Sequence, residues 1–135
     1  MRGILADNNV EGHVNRLLLL LRGDEWGEVW ADLGLTVESF DSLGLTRNTP
    51  DAILWHVCQQ RELILITANR LQRTADSLEA TIQQHNSPQS LPVVTLANAD
   101  RVLEDRAYAE RTVVKLLEYL IDIGNYRGTG RLYVP

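Results

Sequence analysis

The amino-acid sequence predicts an α/β fold, a three-layer α/β/α sandwich with a mostly parallel central sheet. Short apolar runs alternate along the chain with amphipathic stretches of helical spacing, giving five predicted strands separated by helices. The run "LILIT" at 63–67 is continuously apolar until it ends at Thr67, as expected of a strand that a parallel sheet buries on both faces. Right-handed crossovers between such strands place helices on both sides of the sheet.

The first two strands and helices are predicted from the spacing of apolar residues. Residues 4–6 are a short apolar run, and residues 11–22 repeat apolar side chains three and four positions apart, as on a helix packed along one side. A second helix is predicted from Asp24 as its N-cap to Gly34 at its end. The side chains expected to face inward from it are Trp26, Val29, Trp30 and Leu33. Residues 35–40 alternate in polarity and predict the second strand.

The third helix has the clearest start signal in the chain. Thr49 is its predicted N-cap and Pro50 its first residue, where the missing N–H of proline is harmless. Its expected inward side chains are Ile53, Leu54, Val57 and Cys58. The strand 63–67 follows, then a short helix over 76–84.

The last part of the chain predicts a strand, one long helix and an edge strand. "PVVTL" at 92–96 is the fourth strand, and residues 99–123 repeat apolar side chains at helical spacing up to Gly124. "RGTG" predicts a turn, and 131–134 a short strand at the edge of the sheet before Pro135.

Composition limits the classes of function. A chain of 135 residues with 44% hydrophobic residues and no low-complexity tract has the size of one domain, here 1–135. Its single cysteine, Cys58, excludes an intramolecular disulfide and favours a reducing, cytoplasmic location. No apolar segment has the length of a signal peptide or a membrane span, so no membrane association is expected. The net charge of -5 argues against a broad grip on nucleic acid, so any RNA contact should be local.

Ligands of open parallel sheets bind outside the carboxyl ends of the strands, which directs attention to the residues that follow each predicted strand. They are Asp7, Asp41, Thr67 with Asn69, and Thr95 with Asn98. Neither a glycine-rich nucleotide loop nor a G-x-S-x-G nucleophile turn is present. A phosphoacceptor site would need a lysine late in the sheet, but the only lysine lies within the last long helix. The three histidines, on different elements, lack the spacing of metal ligands.

Carboxylates remain as the groups able to carry chemistry. Mg²⁺ or Mn²⁺ is held by a few carboxylates and waters, which leaves positions for a phosphodiester and a nucleophilic water. Asp7 follows the first strand and Asp51 opens the helix leading into the third, so the topology can bring them together. Each also has a simpler interpretation, Asp7 as the cap of the next helix and Asp51 as an acid offsetting a helix dipole.

Two stretches, "ILADNNV" and "PDAILWHVCQQRELILITANR", give the sequence a resemblance to a known family. They resemble the PIN-like domains, specifically the compact bacterial branch of toxin-like and uncharacterised proteins. That branch typically opens with a strand ending in Asp-Glu-Asn, continues with an Asp-x-x-Ile-Leu helix, and then has a strand running into Thr-x-Asp. The motifs cover the first half of the chain, and the second half agrees in the order of strands and helices.

The resemblance implies a metal-dependent ribonuclease in which clustered acids bind Mg²⁺ or Mn²⁺ and a metal-bound water attacks RNA. Asp7 and Asp51 match the acids and are the expected metal ligands, and Thr67 matches the threonine that would donate its hydroxyl to the site. Asn8 and Asn69 stand where the family has Glu and Asp, and are expected as neutral ligands or water-positioning groups. An enzyme is therefore expected with the catalytic set Asp7, Asp51, Thr67 and Asn69, acting on RNA as a hydrolase.

The amide replacements weaken the expected site. Leu71 stands where the family often has a further acid, and amides bring no charge to offset a divalent cation. Asp76 and Glu79 would compensate if the loop after Asn69 folds back, although Asp76 also fits a helix-capping role.

The alternative is a PIN-like interaction module that has lost its metal site and binds a protein partner, such as an antitoxin, or a second copy of itself. The side chains considered for such a surface are Trp26, Trp30, Trp55 and Tyr119.

Overall fold

Five parallel strands form the centre of the molecule in a computed structural model that describes residues 1–68 and 78–135. Their order in the sheet is β2-β1-β3-β4-β5, and every pairing between neighbours is parallel. The strands are β1 (Gly3–Ala6), β2 (Thr36–Glu38), β3 (Leu63–Ala68), β4 (Val93–Leu96) and β5 (Arg131–Val134). The predicted α/β class is confirmed, and β5 lies at the edge as expected.

Six α-helices of the described residues pack around this sheet as the outer layers of an α/β/α sandwich. They are α1 (Glu11–Leu21), α2 (Gly27–Leu33), α3 (Asp51–Gln60), α4 (Leu78–His85), α5 (Ala99–Glu104) and α6 (Arg106–Ile121). Two short 3₁₀ turns precede α1 and follow α6, at Asn8–Val10 and Ile123–Tyr126. None of the helices in the described ranges is long and apolar enough to cross a bilayer.

The sheet separates two hydrophobic cores because successive side chains of a strand point to opposite faces. Ile64 and Ile66 of β3 belong to the core beneath α1, α2, α5 and α6. Leu63 and Leu65 of the same strand belong to the core beneath α3 and α4. β3 is thus buried on both faces, as its continuous apolar sequence predicts.

A change in the direction of winding lies between β1 and β3, which are neighbours in the sheet. From the end of β1 the chain passes to α1 on one face, and after β3 it reaches α4 on the other. The described helices that follow these two strands therefore lie on opposite faces of the sheet. In open α/β sheets, such a switch point forms the crevice in which ligands bind.

The predicted start and inward face of α2 need correction. The helix begins at Gly27 after Trp26, so Asp24 is not its N-cap, and Val29 is exposed while Trp30 is buried. Its predicted end at Gly34 is confirmed, because this glycine adopts the left-handed conformation (φ 63°) that ends many helices.

The start of α3 also differs by one residue from the prediction. Pro50 is the N-cap and Asp51 the first helical residue, while the Thr49 hydroxyl donates to the Thr46 carbonyl. Ile53, predicted to face inward, is exposed. The helix is rotated so that its buried side chains are Leu54, Trp55 and Cys58.

The single long helix predicted over 99–123 is wrong, because α5 and α6 are separated at Asp105. The Asp105 carboxylate accepts a hydrogen bond from the Tyr108 N–H (3.2 Å) and caps α6. α6 ends at Ile121, and Gly124 lies within the following 3₁₀ turn. The predicted strand 35–40 is likewise shorter, with only Thr36–Glu38 paired to β1.

Candidate functional site

Asp7 lies directly after β1 and is buried, with 6% of its surface exposed. Its N–H donates to the Ile66 carbonyl (2.8 Å), which extends the pairing of β1 with β3 by one residue. Its Oδ1 accepts a hydrogen bond from the Asn8 N–H (2.7 Å), so Asp7 caps the 3₁₀ turn before α1. The prediction that Asp7 caps the next helix needs correction, because the N-cap of α1 is Val10 and Asp7 caps the turn that precedes it. Asp7 lies beside the switch point between β1 and β3.

A row of polar side chains crosses the sheet from Asp7. Ala6 pairs with Ile66, so Asp7 and Thr67 follow as neighbours, and Thr67 pairs with Thr95 of β4. All three side chains are buried. Alternation places them on the face that packs against α3 and α4. The sequence prediction that Asp7 and Thr67 share one edge of the sheet agrees with this register.

The Asp7 carboxylate lies close enough to Cys58 of α3 to affect the pKa of its thiol. Burial, and secondly the negative charge of Asp7, raise the pKa of the Cys58 thiol to about 12. The thiol is therefore protonated and packs as a small apolar group near Asp7. α3 and the Asp7 carboxylate thus share the same face of the sheet.

Asp51 is half-buried in the first turn of α3. α3 runs into β3 after only two residues, so its C-terminus lies at the amino ends of the strands and Asp51 at their carboxyl ends. The structure therefore places both predicted acids at the same edge and on the same face. The macrodipole role of Asp51 is compatible with this position.

Asn8 contacts the loop that leads into α3. Its Nδ2 donates to the Arg47 carbonyl (2.5 Å), and its Oδ1 accepts from Arg47 Nη1 (2.7 Å). The same Nη1 donates to Glu11 Oε1 (2.6 Å). Asn8 thus ties the end of β1 to the loop that carries Asp51, and it could act as a metal ligand only by exchanging its contact with the guanidinium.

Glu79, considered as a compensating acid, is engaged by Arg131 of β5. Arg131 Nη2 lies 3.1 Å from Glu79 Oε2, and Arg131 Nη1 donates to the Thr95 hydroxyl (2.6 Å). Asn69, Leu71 and Asp76 lie outside the described residues. Within residues 1–68 and 78–135, no three His, Cys, Asp or Glu side chains are grouped as a metal site.

The structure brings together two histidines that the sequence placed on separate elements. The rings of His56 on α3 and His85 on α4 have their centroids 4.9 Å apart and meet edge to face. Neither this contact nor the one between Asn8 and Arg47 has a signal in the sequence, because both join side chains through tertiary packing alone.

The aromatic side chains proposed for a docking surface are mostly internal. Trp30 and Trp55 are buried, and Trp26 and Tyr119 are partly buried against the core beneath α1 and α6. The condition for a docking surface at these side chains, that they be exposed, is therefore not met, and Trp30 and Trp55 lie in the core, as is usual for tryptophans at helical spacing.

Comparison with known proteins gives no relative. No protein-family model matches the chain, and neither a curated protein nor a solved structure matches it.

Proposed function

We propose that the chain is a PIN-like domain whose site binds Mg²⁺ or Mn²⁺ and hydrolyses RNA phosphodiesters, with Asp7 and Asp51 as the charged metal ligands. The observation that supports this proposal most strongly is the buried Asp7 at the end of β1, beside the switch point between β1 and β3. Carboxylate and hydroxyl oxygens suit a hard divalent cation. Such a cation supplies an activated water and stabilises charge that develops on the phosphate.

The residues around this cation have separate roles in the proposal. The Thr67 hydroxyl donates to the Ala68 carbonyl (3.3 Å) and in the proposal would exchange this contact for one with the site. Asn69 would be a neutral ligand. Asn8 positions the Arg47 loop, and through it Asp51, by the hydrogen bonds described above. The substrate would be RNA in the cytoplasm, where the buried thiol of Cys58 remains reduced.

The enzymatic proposal is tested by cleavage of single-stranded RNA in Mn²⁺. Asp7→Asn keeps the shape of the side chain but removes its charge, so we expect cleavage to fall at least about a hundredfold. Asp41→Asn is the matched control, an exposed acid in the turn after β2, and should cleave as the wild type does. Equal cleavage by wild type and Asp7→Asn, or none by either, would contradict the proposal.

Calorimetry with Mn²⁺ separates this function from the alternative of a non-catalytic interaction module. Binding that is lost in Asp51→Asn supports the metal site. The contact between the Asn8 amide and Arg47 favours the alternative, since it occupies a side chain that the family would use as an acid. Absence of binding at millimolar Mn²⁺ would favour a module that binds a protein partner or a second copy.

A further inference from the structure

Arg47 is an exposed arginine held in one orientation. Its side chain is 69% exposed, yet Nη1 donates both to Asn8 Oδ1 (2.7 Å) and to Glu11 Oε1 (2.6 Å). The backbone carbonyl of Arg47 also accepts from the Asn8 amide (2.5 Å). The loop and the guanidinium are therefore anchored together to the end of β1.

The anchored guanidinium keeps donors for a ligand. A guanidinium has five N–H donors, and the acceptors found within residues 1–68 and 78–135 engage only Nη1. Nε and Nη2 together form the planar fork that binds two oxygens of a phosphate. Since Asn8 and Glu11 already restrain the side chain, a ligand would bind it with less loss of conformational freedom.

The position of Arg47 relates it to both proposed metal ligands. Asn8, its hydrogen-bond partner, donates its backbone N–H to Asp7, and Asp51 follows Arg47 by four residues. The guanidinium thus lies at the same edge of the sheet as both acids, the edge formed by the carboxyl ends of the strands.

The local charges predict when such a ligand can bind. The Glu11 carboxylate, 2.6 Å from Arg47 Nη1, offsets the positive charge of Arg47, so the pair by itself attracts an anion weakly. A divalent cation held by Asp7 and Asp51 would add positive charge at this edge of the sheet. Binding of a phosphate by Arg47 should therefore depend on a divalent cation.

We infer that Arg47 binds a backbone phosphate of the single-stranded RNA whose scissile phosphodiester is held at the Asp7 site. The inference rests on the proposed function for the identity of the ligand. It adds a binding residue that no motif in the sequence indicates.

The test is the fluorescence anisotropy of a labelled single-stranded RNA in Ca²⁺, which fills carboxylate sites without supporting efficient cleavage, and again in EDTA. We expect Arg47→Ala to weaken binding in Ca²⁺ about tenfold, which is the loss of one charge-assisted contact. Arg47→Lys should have an affinity between those of the wild type and Arg47→Ala, because lysine keeps the charge but lacks the planar pair of N–H donors.

Arg106→Ala is the matched control, since Arg106 is 72% exposed and pairs with a single carboxylate, Glu110 at 2.9 Å, on α6. It should bind RNA within about twofold of the wild type, because α6 packs on the face of the sheet opposite to α3, which carries Asp51. Equal weakening in the Arg47 and Arg106 variants would overturn the inference, as would absence of RNA binding by the wild type in Ca²⁺.

Cleavage assays in Mn²⁺ distinguish failure of the inference from failure of the proposed function. If the wild type cleaves RNA, Arg47→Ala should raise KM about tenfold and retain kcat. An unchanged KM would overturn the role of Arg47 while the ribonuclease stands. RNA binding that depends on Arg47 without cleavage would support the inference and contradict the ribonuclease.

Discussion

At the scale of single residues, the buried thiol of Cys58 gives a test of the environment beneath Asp7. Its pKa is raised to about 12, first by burial and second by the Asp7 carboxylate. Because the thiolate is the reactive form, we expect Cys58 to react with an aromatic disulfide reagent at pH 8 far more slowly in the native protein than in the unfolded chain. The absorbance of the released thiol measures both rates. Similar rates in the two states would show that the thiol is accessible.

Glu62 gives a second residue-scale prediction, on the pH dependence of stability. A hydrogen bond from Arg127 Nη2 (2.7 Å) lowers the pKa of Glu62 below its ordinary value of 4.5. A lowered native pKa stabilises the fold above the unfolded pKa, and this stabilisation disappears as the pH falls through the native one. Glu62→Gln should therefore lower the free energy of unfolding at pH 7 by less than about 1 kcal/mol, because the pair is partly exposed.

Urea unfolding at pH 7 and at pH 3 measures the Glu62 effect. The difference between wild type and Glu62→Gln should shrink at the lower pH. Glu104→Gln, an exposed acid at the end of α5, should show no such pH-dependent difference. A Glu62 effect of equal size at both pH values would mean that the ion pair does not cause it.

At the scale of elements, the close contact of β1 with β2 depends on Gly3. A Cβ at this position would overlap the hydroxyl and the backbone oxygen of Thr36, its partner in β2. We expect Gly3→Ala to destabilise the protein by about 1 to 3 kcal/mol, as overpacking does. Gly12→Ala is the control, because a Cβ there meets no atom within 4 Å and alanine favours the helix. Denaturant midpoints compare the two, and equal midpoints would contradict the close contact.

Elements were predictable where one local signal decided them. The apolar run of β3 and the glycine that ends α2 are such cases, since burial and a left-handed backbone each need particular residues. The break between α5 and α6 was missed because apolar spacing continues past Asp105, while the cap that interrupts it acts through one side chain. Val29 and Ile53 were predicted to face inward because their spacing fits an apolar helix face. Both are exposed, and single apolar residues are common on protein surfaces, so spacing alone does not identify a buried residue.

The candidate site was predictable to the extent that strand order decides it. Asp7 follows β1 and Thr67 lies near the end of the neighbouring β3, so the alternation of strands and helices was enough to place them at one edge. The contact between Asn8 and Arg47 depends on how a loop folds back over that edge. No periodicity encodes such a contact, so only the structure shows that Asn8 joins the end of β1 to the loop before α3.

At the scale of the whole molecule, the proposed cation should stabilise the native fold by binding it in preference to the unfolded chain. Mn²⁺ at about 100 times its dissociation constant would add about 2.7 kcal/mol, which raises the midpoint of thermal unfolding by several degrees. Asp51→Asn should abolish the increase if Asp51 is a ligand. Differential scanning fluorimetry at constant ionic strength measures it, and an equal increase in the variant would place the cation elsewhere.

The partly buried guanidinium of Arg131 has a consequence for how the last strand joins the molecule. Its side chain is only 15% exposed and reaches Glu79 and Thr95 on one face, while Val134 is buried on the other. If β5 paired with β4 one residue out of register, every side chain of β5 would change face and the positive charge of Arg131 would enter the apolar core beneath α6. Only one alignment of the C-terminal segment is therefore compatible with the fold. The inward-pointing charge of Arg131 also makes the edge strand β5 less able to pair with a strand of another molecule, which opposes aggregation.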